Sequence, residues 1–313
     1  MRCVVTGSGG QLGRCLVRRL AASDGHELAW APGHDDCDLA NAGHVDRLFD
    51  TGFGEGADVL FNAAAYTAVD RCETETALAR EVNATGATRL ARRCREREVR
   101  LVHVSTDFVF AGDAQDPYRE DDATSPVNAY GQTKLEGEKG VREADPSALV
   151  VRTSWVFGPG RNFVAAILDQ ARKRRTGEVE APLRVVDDQV GSPTYADHLA
   201  VGLIALAERA LGIGDASEGG AGEPVRGAYH LTGAGQTTWW SFARRILDRT
   251  GHDDLEIDRM KTASLDLAAA RPAYSVLDAS RAAALGVTLP PWEQGLDDYL
   301  ASPEGAALLE ASA

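Results

Sequence analysis

Positive charge is scarce in this chain of 313 residues: 33 Lys and Arg stand against 47 Asp and Glu, for a formal net charge of −14. Such a surface excludes nucleic acid and anionic membranes as general partners, and any anionic ligand must be held by local cations. Lysine is rarer still, with only four residues, at 134, 139, 173 and 261, so a lysine inside a motif stands out. The five cysteines, Cys3, Cys15, Cys37, Cys72 and Cys94, are odd in number and include no Cys-x-x-Cys pair. That spacing speaks against structural zinc and a disulfide framework and suits a reducing cytoplasm. Long apolar runs are lacking as well. The longest, Leu199 to Ala207, is nine residues, against the ~20 a bilayer span needs. Only two apolar residues, Val4 and Val5, form a run before Gly7, too few for a signal peptide, so no export is expected.

What is present is a regular alternation. Short apolar runs at Cys3–Thr6, Glu27–Trp30, Asp58–Phe61, Leu101–Val104 and Leu149–Arg152 are separated by helical patterns at Leu12–Ala21, Thr74–Arg97 and Ala129–Arg142. Strand, helix, strand at this spacing predicts right-handed crossovers and an α/β, doubly wound parallel sheet of the Rossmann kind. The second half predicts helices at Asn162–Lys173, Tyr195–Ala210 and Trp239–Arg249, with strands at Leu183–Val186 and Tyr229–Leu231. Residues 212–227 hold six glycines and predict a solvated loop. The tail from Thr262, with Pro272, Pro290 and Pro291, reads as loop-rich. The expected division is a dinucleotide-binding domain (1–153 and 195–231) and a smaller, mixed substrate-binding domain (154–194 and 232–313).

Three motifs carry chemistry. Gly7, Gly10 and Gly13 follow the first strand with G-x-x-G-x-x-G spacing and open the first helix. A tight turn, close backbone approach and a helix N-terminus together suit a pyrophosphate. The second strand ends Leu28-Ala29-Trp30-Ala31-Pro32 without a carboxylate at its tip. An acid there would hold an adenosine 2′-hydroxyl, whereas Arg14 or His34 could meet a 2′-phosphate, so NADPH is favoured over NADH. Tyr130 and Lys134, at i and i+4, share a helix face, where an ammonium would favour the phenolate. Ser105-Thr106-Asp107 closes an apolar strand, which is where a doubly wound sheet places its ligands. His103, inside that strand, reads as a packed core residue. Asp187-Asp188 lacks a third ligand at suitable spacing, so no metal is expected.

Taken in order, these motifs resemble the extended short-chain dehydrogenases/reductases. The strings Asn62-Ala63-Ala64-Ala65-Tyr66-Thr67-Ala68-Val69-Asp70, Val104 to Phe110, Arg152-Thr153-Ser154-Trp155-Val156, Asp188 to Thr194 and Ala270-Arg271-Pro272 narrow the likeness. Together they resemble the dTDP-4-dehydrorhamnose reductase family of nucleotide-deoxysugar 4-ketoreductases over roughly residues 1 to 300. The resemblance implies NAD(P)H-dependent reduction of the C4 keto group of a nucleotide-linked 4-keto-6-deoxysugar. It implies Tyr130 as proton donor, Lys134 on the nicotinamide ribose and lowering the Tyr130 pKa, and Thr106 completing the triad. Gly7, Gly10, Gln11, Leu12 and Gly13 would hold the pyrophosphate, Asp38 and Leu39 the adenine, and Ala63, Ala64 and Ala65 the ribose region. Thr106, Asp107 and Trp155 would face the sugar, and Asn162, Phe163 and Arg271 the nucleotide end.

Two departures stand out. Members with a metal-bridged dimer carry a Glu shortly after the glycine loop, where this chain has Arg14-Cys15, so a monomer or another homodimer is expected. Phe108 replaces a frequent Tyr, which bears on which sugar is bound. Two other readings share the fold. A sugar-nucleotide dehydratase or epimerase would need an Asp-Glu pair after Thr106, and Phe108 follows Asp107. A reductase-like regulatory subunit, such as that of methionine adenosyltransferase, would not need the intact Thr106, Tyr130 and Lys134.

Overall fold

The computed structural model describes residues 1–53, 56–213 and 224–312; most of the glycine-rich stretch expected as a loop, residues 214–223, lies outside them. In chain order the elements begin with β1 (Arg2–Thr6), α1 (Gln11–Ala21), β2 (Glu27–Trp30), α2 (Ala42–Arg47) and β3 (Val59–Asn62). Next come α3 (Val69–Thr74), α4 (Thr76–Arg80), α5 (Ala87–Glu96), β4 (Arg100–Thr106), α6 (Ala129–Ala144) and β5 (Leu149–Thr153). The second half holds β6 (Val156–Phe157), α7 (Phe163–Arg175), β7 (Leu183–Val186), β8 (Val190–Gly191), β9 (Thr194–Tyr195) and α8 (Ala196–Ala210). The chain closes with β10 (Gly227–His230), β11 (Thr237–Thr238), α9 (Trp239–Arg249), β12 (Ile257–Met260), α10 (Ser280–Ala283), α11 (Trp292–Ala301) and α12 (Pro303–Ser312).

The central sheet runs β10-β5-β4-β3-β1-β2, and every pairing in it is parallel. Its inner strands β1, β3, β4 and β5 show why: each carries apolar residues on both faces, as a sheet covered by crossover helices demands. Cys3, Val5, Val59, Phe61, Val102 and Val151 pack on one face with Leu16 and Leu20 of α1 and Leu199 and Leu203 of α8. Val4, Leu60, Leu101 and Val150 point the other way, into Val45, Leu90, Ala91 and Val141. The strand order reverses at β1, with β2 on one side and β3 on the other. That switch leaves a crevice beyond the carboxyl ends of β1 and β3, where ligands bind in such folds. A third core, built from Val164, Leu168, Phe242, Ile246, Trp292 and Leu296, holds α7, α9 and α11 together.

Two expectations are corrected. The helix expected over Thr74–Arg97 begins earlier, breaks at Glu75 and contains a π-type stretch, Glu81–Gly86, before α5. There Gly86 lies so close to Leu39 that a Cβ would come within 2.4 Å of its carbonyl oxygen. The tail is loop-rich only as far as Pro291; beyond it α11 and α12 occupy Trp292–Ser312. Pro291 stands at the N-cap of α11 and Pro303 opens α12, positions where a missing N–H costs nothing.

Candidate active site

The glycine turn after β1 is built by contact. Gly7 sits at φ +72°, and Gly10, three residues on, donates its N–H to Gly7 O at 3.0 Å. A Cβ on Gly13 would lie 2.1 Å from Gly7 O, so α1 can start against the turn only if residue 13 lacks a side chain. Gly10 occupies the N-cap of α1 with no side-chain cap, leaving the first N–H groups of the helix free. Around the turn lie two adjoining cavities. One, about 270 Å³, is lined by Gly7, Gly9, Gly10, His34, Asp38, Leu39 and Ala63 to Ala65. The other, about 350 Å³, is lined by Gly10, Gln11, Leu12, Ala63, Ala65, Ser105, Thr106, Tyr130, Lys134 and Thr153, among others.

The helix carrying Tyr130 and Lys134 is fixed at its start by a residue the sequence reading passed over. Asn128 caps α6, its side chain accepting from Gly131 N at 2.8 Å while Nδ2 donates to Ala270 O at 2.8 Å. An Asn just before a helical pattern is the signal that could have found it. Gly131 then lets the helix press onto the turn at 107–109; a Cβ there would be 2.1 Å from Phe108 O.

Tyr130 and Thr106 line both the 350 Å³ cavity and a larger one of about 600 Å³. Burial pushes the Tyr130 phenol well up, and a hydrogen bond with the Thr106 hydroxyl works against that. Lys134 is anchored on the strand beside it. Its ammonium nitrogen donates to Val104 O at 2.6 Å and lies 3.4 Å from His103 Nε2, and burial lowers its pKa to about 8. Asp107 is buried, accepts from Thr106 Oγ1 at 2.9 Å, and is raised by burial to about 6.

The larger cavity gathers Thr67, Asp107, Phe108, Trp155, Phe163 and Trp239, with Arg184 and Arg271 as its cations. Trp155 holds a left-handed backbone, φ +46°, a conformation that costs a bulky residue energy. The gain is a ring stacked on Trp239 at 3.6 Å and pressed against Gly191, where a Cβ would fall 2.3 Å from the indole. Gln189 holds Trp239 through a hydrogen bond from its Nε1 at 3.1 Å. Arg271 reaches the cavity but pairs with Asp70 at 2.6 Å, a partner the sequence reading quoted without a role. Asn162 does not line the cavity. Its side chain caps α7 and donates to Gly158 O, Gly160 O and Tyr299 OH. Asp187 and Asp188 are tied to Thr238, Arg259 and Thr262. Cys15 is buried in the core under α1, and Arg14 Nε donates to Gly9 O at 2.9 Å.

The family model described as the RmlD substrate binding domain matches residues 1–304. The chain belongs to this family. The dTDP-4-dehydrorhamnose reductase of Mycolicibacterium smegmatis (strain ATCC 700084 / mc(2)155) is 38% identical over 309 residues, 97% of this chain and 86% of that protein. A probable dTDP-4,6-dihydroxy-2-methyloxan-3-one 4-ketoreductase of Streptomyces antibioticus is 38% identical over 299 residues, 95% of this chain and 93% of its own. The crystal structure of the dTDP-4-dehydrorhamnose reductase from Bacillus anthracis str. Ames in complex with NADP is similar at a TM-score of 0.84 and 30% identity, covering 96% of this chain and 98% of that one. His103, expected as a packed core residue, is buried and also lies 3.4 Å from Lys134 Nζ. Periodicity marks a side chain as buried without saying what it touches.

Proposed function

We propose that this chain is an NADPH-dependent oxidoreductase that reduces the C4 keto group of a dTDP-linked 4-keto-6-deoxysugar, with dTDP-4-dehydrorhamnose going to dTDP-rhamnose. The observation that carries the reading is the position of Tyr130 and Thr106 at the wall shared by the 350 Å³ and 600 Å³ cavities. One proton donor and one hydroxyl thereby face both a cofactor and a substrate.

The residues fit a dinucleotide. The turn has no room for a side chain at Gly7 or Gly13, and Gly10, Gln11 and Leu12 stand at the helix N-terminus to hold the pyrophosphate. Asp38 and Leu39 would flank the adenine, and Ala63, Ala64 and Ala65 the adjoining ribose. In the neighbouring cavity the Ser105 and Thr153 hydroxyls are buried without a protein partner, which suits them to a polar ring substituent such as a carboxamide. Bound NADPH supplies the hydride. The high pKa of Tyr130 keeps its phenol protonated at neutral pH, the form a proton donor needs. Tyr130 gives that proton to the C4 oxygen as the carbonyl becomes an alcohol, and Thr106 holds the same oxygen. Lys134 would hold the nicotinamide ribose. Asp107, Trp155 and Phe163 contact the sugar and its nucleotide, and Arg271 the diphosphate.

In this reading residues 1–153 and 195–231 form the dinucleotide-binding domain, and residues 154–194 and 232–313 the substrate domain. The protein works in the cytoplasm as a monomer or a homodimer without nucleic acid, and among the described residues no helix is long and apolar enough to cross a membrane. Purified protein mixed with NADPH and dTDP-4-dehydrorhamnose should lose absorbance at the dihydronicotinamide band and yield dTDP-rhamnose. Binding of both ligands without turnover would replace the enzyme reading with the regulatory one.

A further inference from the structure

Thr6 on β1, Asn62 on β3 and His103 on β4 are register neighbours across the sheet. Their side chains therefore stand in one row on the face covered by α6. Thr6 Oγ1 donates to Asn62 Oδ1 at 2.8 Å, and Ala64 N–H donates to the same oxygen at 3.2 Å. With two donors on Oδ1, the amide has one orientation, and its Nδ2 donates to His103 Nδ1 at 2.9 Å. Nδ1 is thus the acceptor nitrogen, and the single ring proton sits on Nε2. That N–H points at Lys134 Nζ, 3.4 Å away, while Nζ is engaged by Val104 O at 2.6 Å. An N–H aimed at an ammonium is repulsive; aimed at an amine, it is a hydrogen bond.

We propose that His103, with its tautomer set by Asn62 and Thr6, is a positioning residue that disfavours the ammonium of Lys134 and so sets the pH at which this lysine gives up its proton. Burial acts in the same direction, holding His103 uncharged and bringing Lys134 down to about 8. Of the other groups facing Lys134, Glu138 lies one turn along α6 and favours the ammonium, but both its carboxylate oxygens are engaged by Arg152 of β5 at 2.9 and 2.8 Å. Cys72 of α3 is a neutral thiol, raised to about 11. Tyr130 is protonated at neutral pH, and Asp107 titrates near 6, on the acid side. An alkaline limb near 8 therefore belongs to Lys134.

The proposal rests on the reductase reading for its kinetic arm alone. Nitrogen-15 NMR of histidine-labelled protein reads the tautomer whether or not the protein turns over. His103 should show an acceptor-type Nδ1 and a protonated Nε2 across neutral pH; a protonated Nδ1 would overturn the proposal. In the pH profile of kcat, His103→Phe keeps the ring and removes the Nε2 proton, and should move the alkaline limb up by about one pH unit. Asn62→Asp offers an acceptor to Nδ1–H, leaves Nε2 to accept from the ammonium, and should move the limb the same way. A lower rate in both variants with the limb unmoved would reduce His103 to a packing role and overturn the proposal.

Discussion

Tyr130 is a phenol whose surroundings raise rather than lower its pKa, and this fixes the direction it serves best. A donor that stays protonated is suited to reduction, where the carbonyl oxygen gains a proton. Tyr130→Phe should lower kcat by about 10²–10⁴-fold, the usual range for loss of a general acid, with NADPH affinity retained in a fluorescence titration, because the pyrophosphate turn lies elsewhere. Cofactor choice can be tested at another single residue. Ala31, at the tip of β2, packs against the core, whereas His34 is exposed and lines the adenosine-side cavity. His34→Asp should therefore shift the NADPH:NADH ratio of kcat/KM toward NADH, by repelling a 2′-phosphate and accepting from a 2′-hydroxyl. An unchanged ratio would remove His34 from that site.

At the scale of the element, α6 carries Tyr130 and Lys134, and one turn beyond Lys134 an ion pair anchors it. Glu138 and Arg152 are almost fully buried and bidentate, with Arg152 also lying over the Phe110 ring. Glu138→Ala strands a buried guanidinium and should cost about 3–5 kcal/mol in urea unfolding; a loss within experimental error would mean that water reaches Arg152. The strands and helices that hold the site were legible because their signals are local. β2, β7 and α9 match their apolar runs residue for residue, and the glycine turn and Tyr130/Lys134 spacing follow from backbone geometry. What was illegible depends on contacts between elements. Asn162 has the residue type of a ligand, but serves as a cap because Tyr299 and Gly158 lie beside it. Pro291 and Pro303 look like breakers until their place at helix starts is known. The break at Glu75 falls where its carboxylate is shared between Tyr66 and Arg71, a pairing that no periodicity records.

For the whole molecule, all five cysteines are free and buried. Burial raises Cys3 and Cys15 to about 12, Cys37 and Cys72 to about 11, and Cys94 well above its ordinary value. A folded-state pKa above the unfolded one means that the folded chain keeps protons the unfolded chain releases. Stability should thus be intact below about pH 9 and fall as pH rises toward 11–12, with a slope of up to one proton per thiol. Lys134, lowered to about 8, works the other way between about 8 and its ordinary 10.5 but is a single group. Urea midpoints that stay level from neutral to alkaline pH would contradict this. Metal should matter little. Cys15 faces the core, Arg14 is a cation, and among the described residues no cluster of three acidic, His or Cys groups could hold an ion. Gel filtration and activity should be the same with and without EDTA; a dimer that dissociates on chelation would require a metal ligand elsewhere.

The parallel indoles of Trp155 and Trp239 also give the molecule an optical property. Two identical chromophores 3.6 Å apart and within 5° of parallel share their excited state instead of absorbing separately. The pair lines the cavity of about 600 Å³, so a ligand that slides against it would alter that shared transition. The strained backbone that holds Trp155 in place thereby makes the ultraviolet signal of the protein a direct witness of what its cavity holds.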